Sequence, residues 1–143
     1  MIRSRRHVHT SADDFHVPTG RLLEVDDLRT HFRTPRGVVR AVDGVSFTLD
    51  RGRTLGLVGE SGCGKSVLSR SVMGLLPSNA VRRGEVTFAG ERIDGLADEA
   101  MRAYWGTQMS MVFQDPMTSL NPVMRIGRQI IESLEVHTDM SRE

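Results

Sequence analysis

The 143-residue chain has a single cysteine, Cys63, so no internal disulfide framework is available to it. It has no apolar run approaching the roughly 20 residues that a membrane-spanning helix needs. The opening, MIRSRRHVHTSADDF, is basic but has no apolar stretch behind its arginines, so it does not read as a secretory signal. Excess charge of one sign is also missing. Nineteen basic residues against eighteen acidic leave a formal net charge of +1, which gives no reason to expect a nucleic acid held by bulk charge. Lysine is almost absent: Lys65 is the only one, and the other eighteen of the nineteen basic residues are arginine. What is present, 38% hydrophobic and 26% charged residues, is the composition of a globular chain with room for one domain.

Residues 1–20 read as a flexible N-terminal tail that ends at Pro18 and Gly20. His7, His9 and His16 raise the question of a metal. No partner ligands follow at metal-like spacing, so they are read as part of a solvated terminus.

From Arg21 the texture changes. Leu22, Leu23 and Val25 begin a strand-like run, and Val38, Val39 and Val42 follow a turn at residues 35–37. Val45, Phe47 and Leu49 then alternate with Ser46, Thr48 and Asp50, the period of a half-buried strand. Together these segments predict an antiparallel sheet with one wet face. Residues 55–58, Leu-Gly-Leu-Val, are almost continuously apolar and predict a strand covered on both sides. A glycine-rich turn follows, then Val67, Leu68, Val72, Leu75 and Leu76 at helical spacing, with Pro77 predicted to end the helix. A short strand is expected over residues 85–88, after Gly84 and before Gly90. A helix is expected over 98–104 with Asp98 as N-cap. A second buried strand is expected over 109–113 and a loop over 114–122. Ile126, Ile130, Ile131 and Leu134 lay an apolar stripe on a last helix that reaches about His137.

Gly59-Glu60-Ser61-Gly62-Cys63-Gly64-Lys65-Ser66 fits the phosphate-loop pattern G-x-x-x-x-G-K-[ST] without a mismatch. A triphosphate needs several main-chain N–H groups aimed at one point. Glycines permit the backbone angles of such a nest and leave its mouth open. The helix that starts near Lys65 adds unpaired N–H groups and its positive dipole end. Lys65 is expected to reach the outer phosphates and the Ser66 hydroxyl to hold Mg²⁺. Val67, in the first helical turn, is grouped with Gly59–Ser66 as nucleotide-binding. The retention of one lysine in so arginine-rich a chain fits a pocket that admits a compact charge on a thin stem and excludes a wide planar fork. Cys63 has no evident histidine base and is read as a small residue tolerated where the backbone binds.

The segment LLEVDDLRTHFRTPRGVVRAVDGVSFTLDRGRTLGLVGESGCGKS resembles the start of an ABC-transporter ATP-binding subunit, and MVFQDPMTSLNPVMRIGRQI resembles its Q-loop region. The wording FQDPMTSLNP is similar to the subfamily that energises oligopeptide, dipeptide and nickel importers. The resemblance runs from about Arg21 to His137. It implies an α/β P-loop NTPase fold: an antiparallel β subdomain, part of a parallel core sheet and the start of a helical subdomain. Phe32 matches the aromatic that stacks on adenine, against the plain alternative of a packed strand-end residue. Gly59–Ser66 matches Walker A. Gln114 matches the Q-loop glutamine, which reaches Mg²⁺ and the attacking water. Read without the family, Gln114 is a loop-capping amide. The resemblance thus implies Lys65 and Gln114 as catalytic, and Ser66 and Gln114 as metal-holding.

For the region of Met117 and Met124 the family implies contact with the coupling helix of a membrane subunit, whereas packing within the helical subdomain serves equally well. Arg125 and Arg128 are read as solvated charges. The implied cofactors are ATP and Mg²⁺. The implied partners are membrane subunits and a second ATP-binding subunit, at the cytoplasmic face of the plasma membrane. A signature motif, a Walker B strand and a switch histidine are not found in residues 21–143, and the family places them downstream. The chain is therefore expected to be an N-terminal portion of the domain. Its function is then ATP binding and hydrolysis coupled to import in the whole subunit, or ATP binding without hydrolysis in the piece. A phosphate-loop kinase acting on a small molecule would need a lid of catalytic arginines, for which only Arg82, Arg83 and Arg102 are at hand.

Overall fold

The computed structural model describes residues 19–113 and 120–137. Residues 1–18 of the expected tail, Gln114 and Met117 lie outside the described residues.

The expected hairpin forms. Strand β1 spans Arg21–Thr34 and β2 spans Gly37–Asp50, joined by the two-residue turn Pro35 and Arg36. The Thr34 hydroxyl donates to the Gly37 carbonyl at 2.7 Å and Gly37 takes a φ of 119°, an angle that favours glycine. Strand β3, Ala80–Phe88, pairs with the other edge of β1, and the two-residue β4, Glu91–Arg92, extends β3. The four-stranded order is β2-β1-β3-β4, antiparallel throughout. Helix α1 spans Lys65–Val72, α2 Asp98–Met101 and α3 Ile126–His137.

Strand β3 starts earlier than the sequence pattern predicted because Gly84 is an interior residue of the strand and not its boundary. Gly84 has a φ of 98°, and a Cβ there would stand 2.5 Å from the Asp27 carbonyl oxygen and 2.7 Å from that of Asp26. Opposite it, Asp27 takes a φ of 42° where the register of β1 shifts between Asp26 and Arg29. The pair forms a bulge in which only glycine lets the two backbones meet.

Helix α1 also ends earlier than predicted, at Val72 and not at Pro77. Gly74 stops it with a φ of 73°. The Gly74 N–H bonds the Ser71 carbonyl at 3.2 Å and the Leu75 N–H bonds the Arg70 carbonyl at 2.9 Å, the two bonds of a Schellman C-cap. For α2 the N-cap is Ala97, and Asp98 sits in the first turn.

Neither predicted buried strand forms. Residues 53–60 are irregular, and Leu55, Leu57 and Val58 are 41%, 44% and 96% exposed. In residues 109–113, Met109 makes an isolated parallel bridge with Trp105, and Val112 is 96% exposed. An apolar run becomes a strand only when another backbone satisfies its N–H and C=O groups. No described segment pairs alongside residues 53–60. The described sheet is therefore the antiparallel subdomain, and the expected parallel core sheet is not formed among the described residues.

The core lies between this sheet and α1. Val25, Leu28, Val42, Val86 and Phe88 from the strands meet Leu68 and Val72 from α1, closed at one end by Ile93 and Met101. The predicted apolar stripe of α3 is present but exposed at Ile126, Ile130 and Ile131.

Candidate functional site

The phosphate-loop residues form a tight bend that leads into α1. The Cys63 N–H bonds the Glu60 carbonyl at 3.3 Å, and the first helical bond runs from the Leu68 N–H to the Gly64 carbonyl at 2.8 Å. Each glycine has its own reason. A Cβ on Gly59 would lie 2.6 Å from the Cys63 sulfur, so the bend folds back against its own start. Gly62 has open space around it but a φ of 80°. Gly64 combines both restrictions: it has a φ of 95°, and a Cβ there would stand 2.3 Å from the Ala41 carbonyl oxygen. The Gly64 contact seats the loop directly on β2.

At the start of α1 no side chain caps the helix and no acidic residue occupies the first turn. The N–H groups of Lys65, Ser66 and Val67 have no carbonyl within the helix to bond, and the helix dipole adds partial positive charge at the same place. The Lys65 ammonium curls over the bend. It donates to the Gly59 carbonyl at 2.7 Å and the Glu60 carbonyl at 2.8 Å, and lies 3.5 Å from the Cys63 sulfur. Glu60, Ser61, Cys63 and Ser66 are exposed. Val67 packs its side chain against the core, so what it can offer a ligand is its main-chain N–H. An anion with several acceptor oxygens fits this donor set, and a divalent cation bridging such an anion to the Ser66 hydroxyl would complete it.

The aim of α1 is fixed from its far end. Ser71 is fully buried and bonded to Thr30 of β1 at 2.7 Å. Arg82 donates to the Ser71 carbonyl at 2.8 Å and the Trp105 indole N–H donates to the Met73 carbonyl at 2.9 Å. Arg82 thus gives the Ser71 carbonyl a second donor beside the Gly74 N–H, and Trp105 supplies one to the carbonyl of the C-cap residue. Burial pushes the Arg82 guanidinium below its ordinary range, although a nearby Asp94 opposes that shift. Arg82 also reaches the Asp94 main-chain carbonyl. Of the three arginines considered for a kinase lid, Arg82 is committed to α1 and Arg102 pairs with Glu99 at 3.0 Å.

Phe32 is half-buried on β1, opposite Val39 and Ala80. Gln114 lies outside the described residues, but Phe113 before it does not. The Arg70 guanidinium of α1 stands 5.7 Å from the Phe113 ring centroid, which ties the end of the 109–113 segment to the helix of the phosphate loop. Arg125 and Arg128 are exposed, and Met124 is partly buried beside Gln129, whose amide bonds the Met124 carbonyl at 3.0 Å.

Sequence reasoning missed the anchors of α1. Two signals were there. Ser71 lies three residues after Leu68 on the apolar face of α1, and Thr30 lies two residues after buried Leu28 on β1, so each is a polar residue at a core position. Nothing in the local pattern marks Arg82 or Trp105.

A family described as ABC transporter matches residues 42–142 of the chain. The chain is 50% identical over 125 residues to the oligopeptide transport ATP-binding protein OppD of Salmonella typhimurium, covering 87% of this chain and 37% of that protein. It is 48% identical over 125 residues to the dipeptide transport ATP-binding protein DppD of Bacillus subtilis, covering 86% and 37%. It is 47% identical over 119 residues to the oligopeptide transport ATP-binding protein OppF of Bacillus subtilis, covering 83% and 38%. The chain spans a little over a third of the length of these relatives.

Proposed function

The chain belongs to the ABC transporter family, and on that premise we propose that it carries the nucleotide-gripping part of an ATP-binding subunit that energises peptide import. The observation that carries this reading is the convergence on one point of an uncapped helix start, a glycine-built bend and the only lysine of the chain. The peptide reading rests on the names of the relatives, which are oligopeptide and dipeptide transport proteins.

In this reading the loop N–H groups of residues 61–66 and the first turn of α1 bind the phosphate oxygens of ATP. Lys65 exchanges its two carbonyl partners for the outer phosphates, and Ser66 supplies a hydroxyl ligand for Mg²⁺. The bound Mg²⁺ neutralises charge on the triphosphate. Gln114 is assigned to the same metal and to the attacking water, and Phe32 to the adenine ring. The region from Met117 to Met124 is assigned to the contact with membrane subunits, and a second ATP-binding subunit to the other side of the nucleotide. The assigned place is the cytoplasmic face of the plasma membrane. Among the described residues no helix is long and apolar enough to cross a membrane.

A titration with a fluorescent ATP analogue and Mg²⁺ tests the grip. Lys65→Ala should abolish saturable binding while leaving the far-UV circular dichroism unchanged. Undiminished affinity in the folded variant rejects the site. A phosphate-release assay on the same samples separates the two functional forms. Release that depends on Lys65 supports an ATPase, and binding without release makes the chain an ATP-binding module.

A further inference from the structure

The antiparallel sheet carries a groove of about 480 Å³ on one face, and none of its lining residues belongs to the phosphate loop. Arg29, His31 and Arg33 of β1 enter it at every second position, which places Phe32 on the opposite face. Arg29 is committed to Asp27 at 2.8 Å and Asp43 at 3.1 Å. His31 at 3.2 Å and Arg40 at 3.6 Å share the same Asp43 carboxylate. Arg33 and Arg83 also line the groove, yet neither side chain forms a described ion pair or hydrogen bond. The groove thus holds more guanidinium groups than carboxylates, and the surplus is on these two residues.

Their spacing is set by the register. Arg83 pairs across from Arg29, and Val81 across from His31. Arg33 lies two positions further along β1, beside Val38 of β2, which is 62% exposed. The two surplus arginines are therefore offset by four residues along the strand direction, about 13 Å at ~3.3 Å per residue. Apolar Val81 and Val38 lie in the same groove. We propose that this groove docks an acidic peptide segment of a partner protein, in extended form, with carboxylates four residues apart on Arg33 and Arg83 and an apolar side chain between them on the valines. A continuous phosphate backbone or an anionic membrane suits it less, because Asp27 and Asp43 stand in the same groove and would repel an unbroken row of anions.

The test uses the full chain and fluorescence polarisation with labelled Gly-Glu-Ser-Val-Ser-Glu-Gly as probe. Saturable binding is expected, with a peptide carrying Gln in place of one Glu about tenfold weaker, the loss of one charge-assisted contact, and the neutral peptide with Gln in place of both weaker still. Arg33→Glu and Arg83→Glu should each weaken the acidic probe to a similar degree. Both side chains are without described partners, so circular dichroism should not change. Arg33→Gln and Arg83→Gln serve as milder variants should charge reversal disturb the fold. The proposal is overturned if the neutral peptide binds equally well or if all the arginine variants bind as the parent does. It is also overturned if a ten-residue oligothymidylate or phosphatidylserine vesicles compete for the same arginines with higher affinity.

Discussion

Thr30 and Ser71, which are 41 residues apart in sequence, share a 2.7 Å hydrogen bond with both side chains fully buried. The Ser71 hydroxyl also bonds the Val67 carbonyl at 2.6 Å, and a carbonyl can only accept. Ser71 therefore spends its proton on Val67, and Thr30 must be the donor of the shared bond. This chain of two bonds pins the C-terminal end of α1 to β1 and so fixes the direction in which the helix start faces.

The asymmetry of buried hydrogen bonds gives the first prediction. Ser71→Ala leaves the Thr30 hydroxyl buried without its acceptor and should cost about 1–3 kcal/mol in urea unfolding. The double change Thr30→Val with Ser71→Ala removes both polar groups and should be less destabilising than the sum of the two single changes by about 1 kcal/mol or more. Strict additivity would mean the two hydroxyls do not depend on each other.

Local pattern made some of this architecture legible. The residues 59–66 announced a loop and a helix start because the chemistry of an anion nest restricts residue types one by one. The alternation from Val45 to Asp50 announced β2 because burial on one face imposes period two. The run at 55–58 misled, because an apolar run reports only that a segment is suited to burial. Whether it becomes a strand depends on a partner that its own residues do not name. Gly74 and Gly84 were visible as glycines, but their roles as C-cap and bulge depend on carbonyls of Arg70 and Asp27 that only the fold brings near. The link between Arg70 and Phe113 crosses from one element to another and left no trace in spacing.

The two glycines inside the loop should respond differently to alanine. At Gly62 the added Cβ meets open space, so Gly62→Ala carries only the left-handed backbone cost of about 1–2 kcal/mol. At Gly64 the same backbone cost is joined by a Cβ 2.3 Å from the Ala41 carbonyl oxygen, a main-chain atom that cannot swing aside. Gly64→Ala should therefore be clearly the more destabilising of the two in chemical denaturation, and should weaken nucleotide binding more. Equal effects would show that the loop does not rest on β2.

Cys63 offers a probe of occupancy. Its sulfur is exposed, lies against Gly59 and stands 3.5 Å from the Lys65 ammonium. A thiol reagent should modify it in the free chain, and MgATP should slow the reaction by covering the bend. The same labelling rate with and without MgATP would argue that nucleotide does not enter the loop.

Acid should loosen the junction of β3 and β4 through Asp94. Its carboxylate accepts from Arg92 at 2.9 Å and from the Val86 N–H at 3.1 Å. These contacts, the Arg92 bond first, hold it below the ordinary aspartate range despite partial burial. A carboxyl group whose pKa is lowered by folding adds stability above its unfolded pKa, near 4, and loses it as pH falls through the folded value. Thermal stability should accordingly fall below about pH 4, and Asp94→Asn should flatten that part of the profile while lowering stability at neutral pH. An unchanged acid limb in the variant would place the acid sensitivity elsewhere.

The apolar run that failed to become a strand leaves a physical consequence. Leu55 and Leu57 line an open apolar groove of about 610 Å³ together with Leu68, Val72 and Met109, and Val58 and Val112 are almost wholly exposed. Burial of such surface is favourable at roughly 25 cal/mol per Å², so other apolar groups will compete to cover it. The chain should bind a hydrophobic dye such as ANS and self-associate with rising concentration, and Leu55→Ser with Leu57→Ser should reduce both. Neither residue belongs to the main core cluster, so the fold of the hairpin should survive the change. A dye-silent, strictly monomeric chain with a sharp cooperative melt would mean that residues 53–60 find cover, and the irregular backbone there would then need another cause.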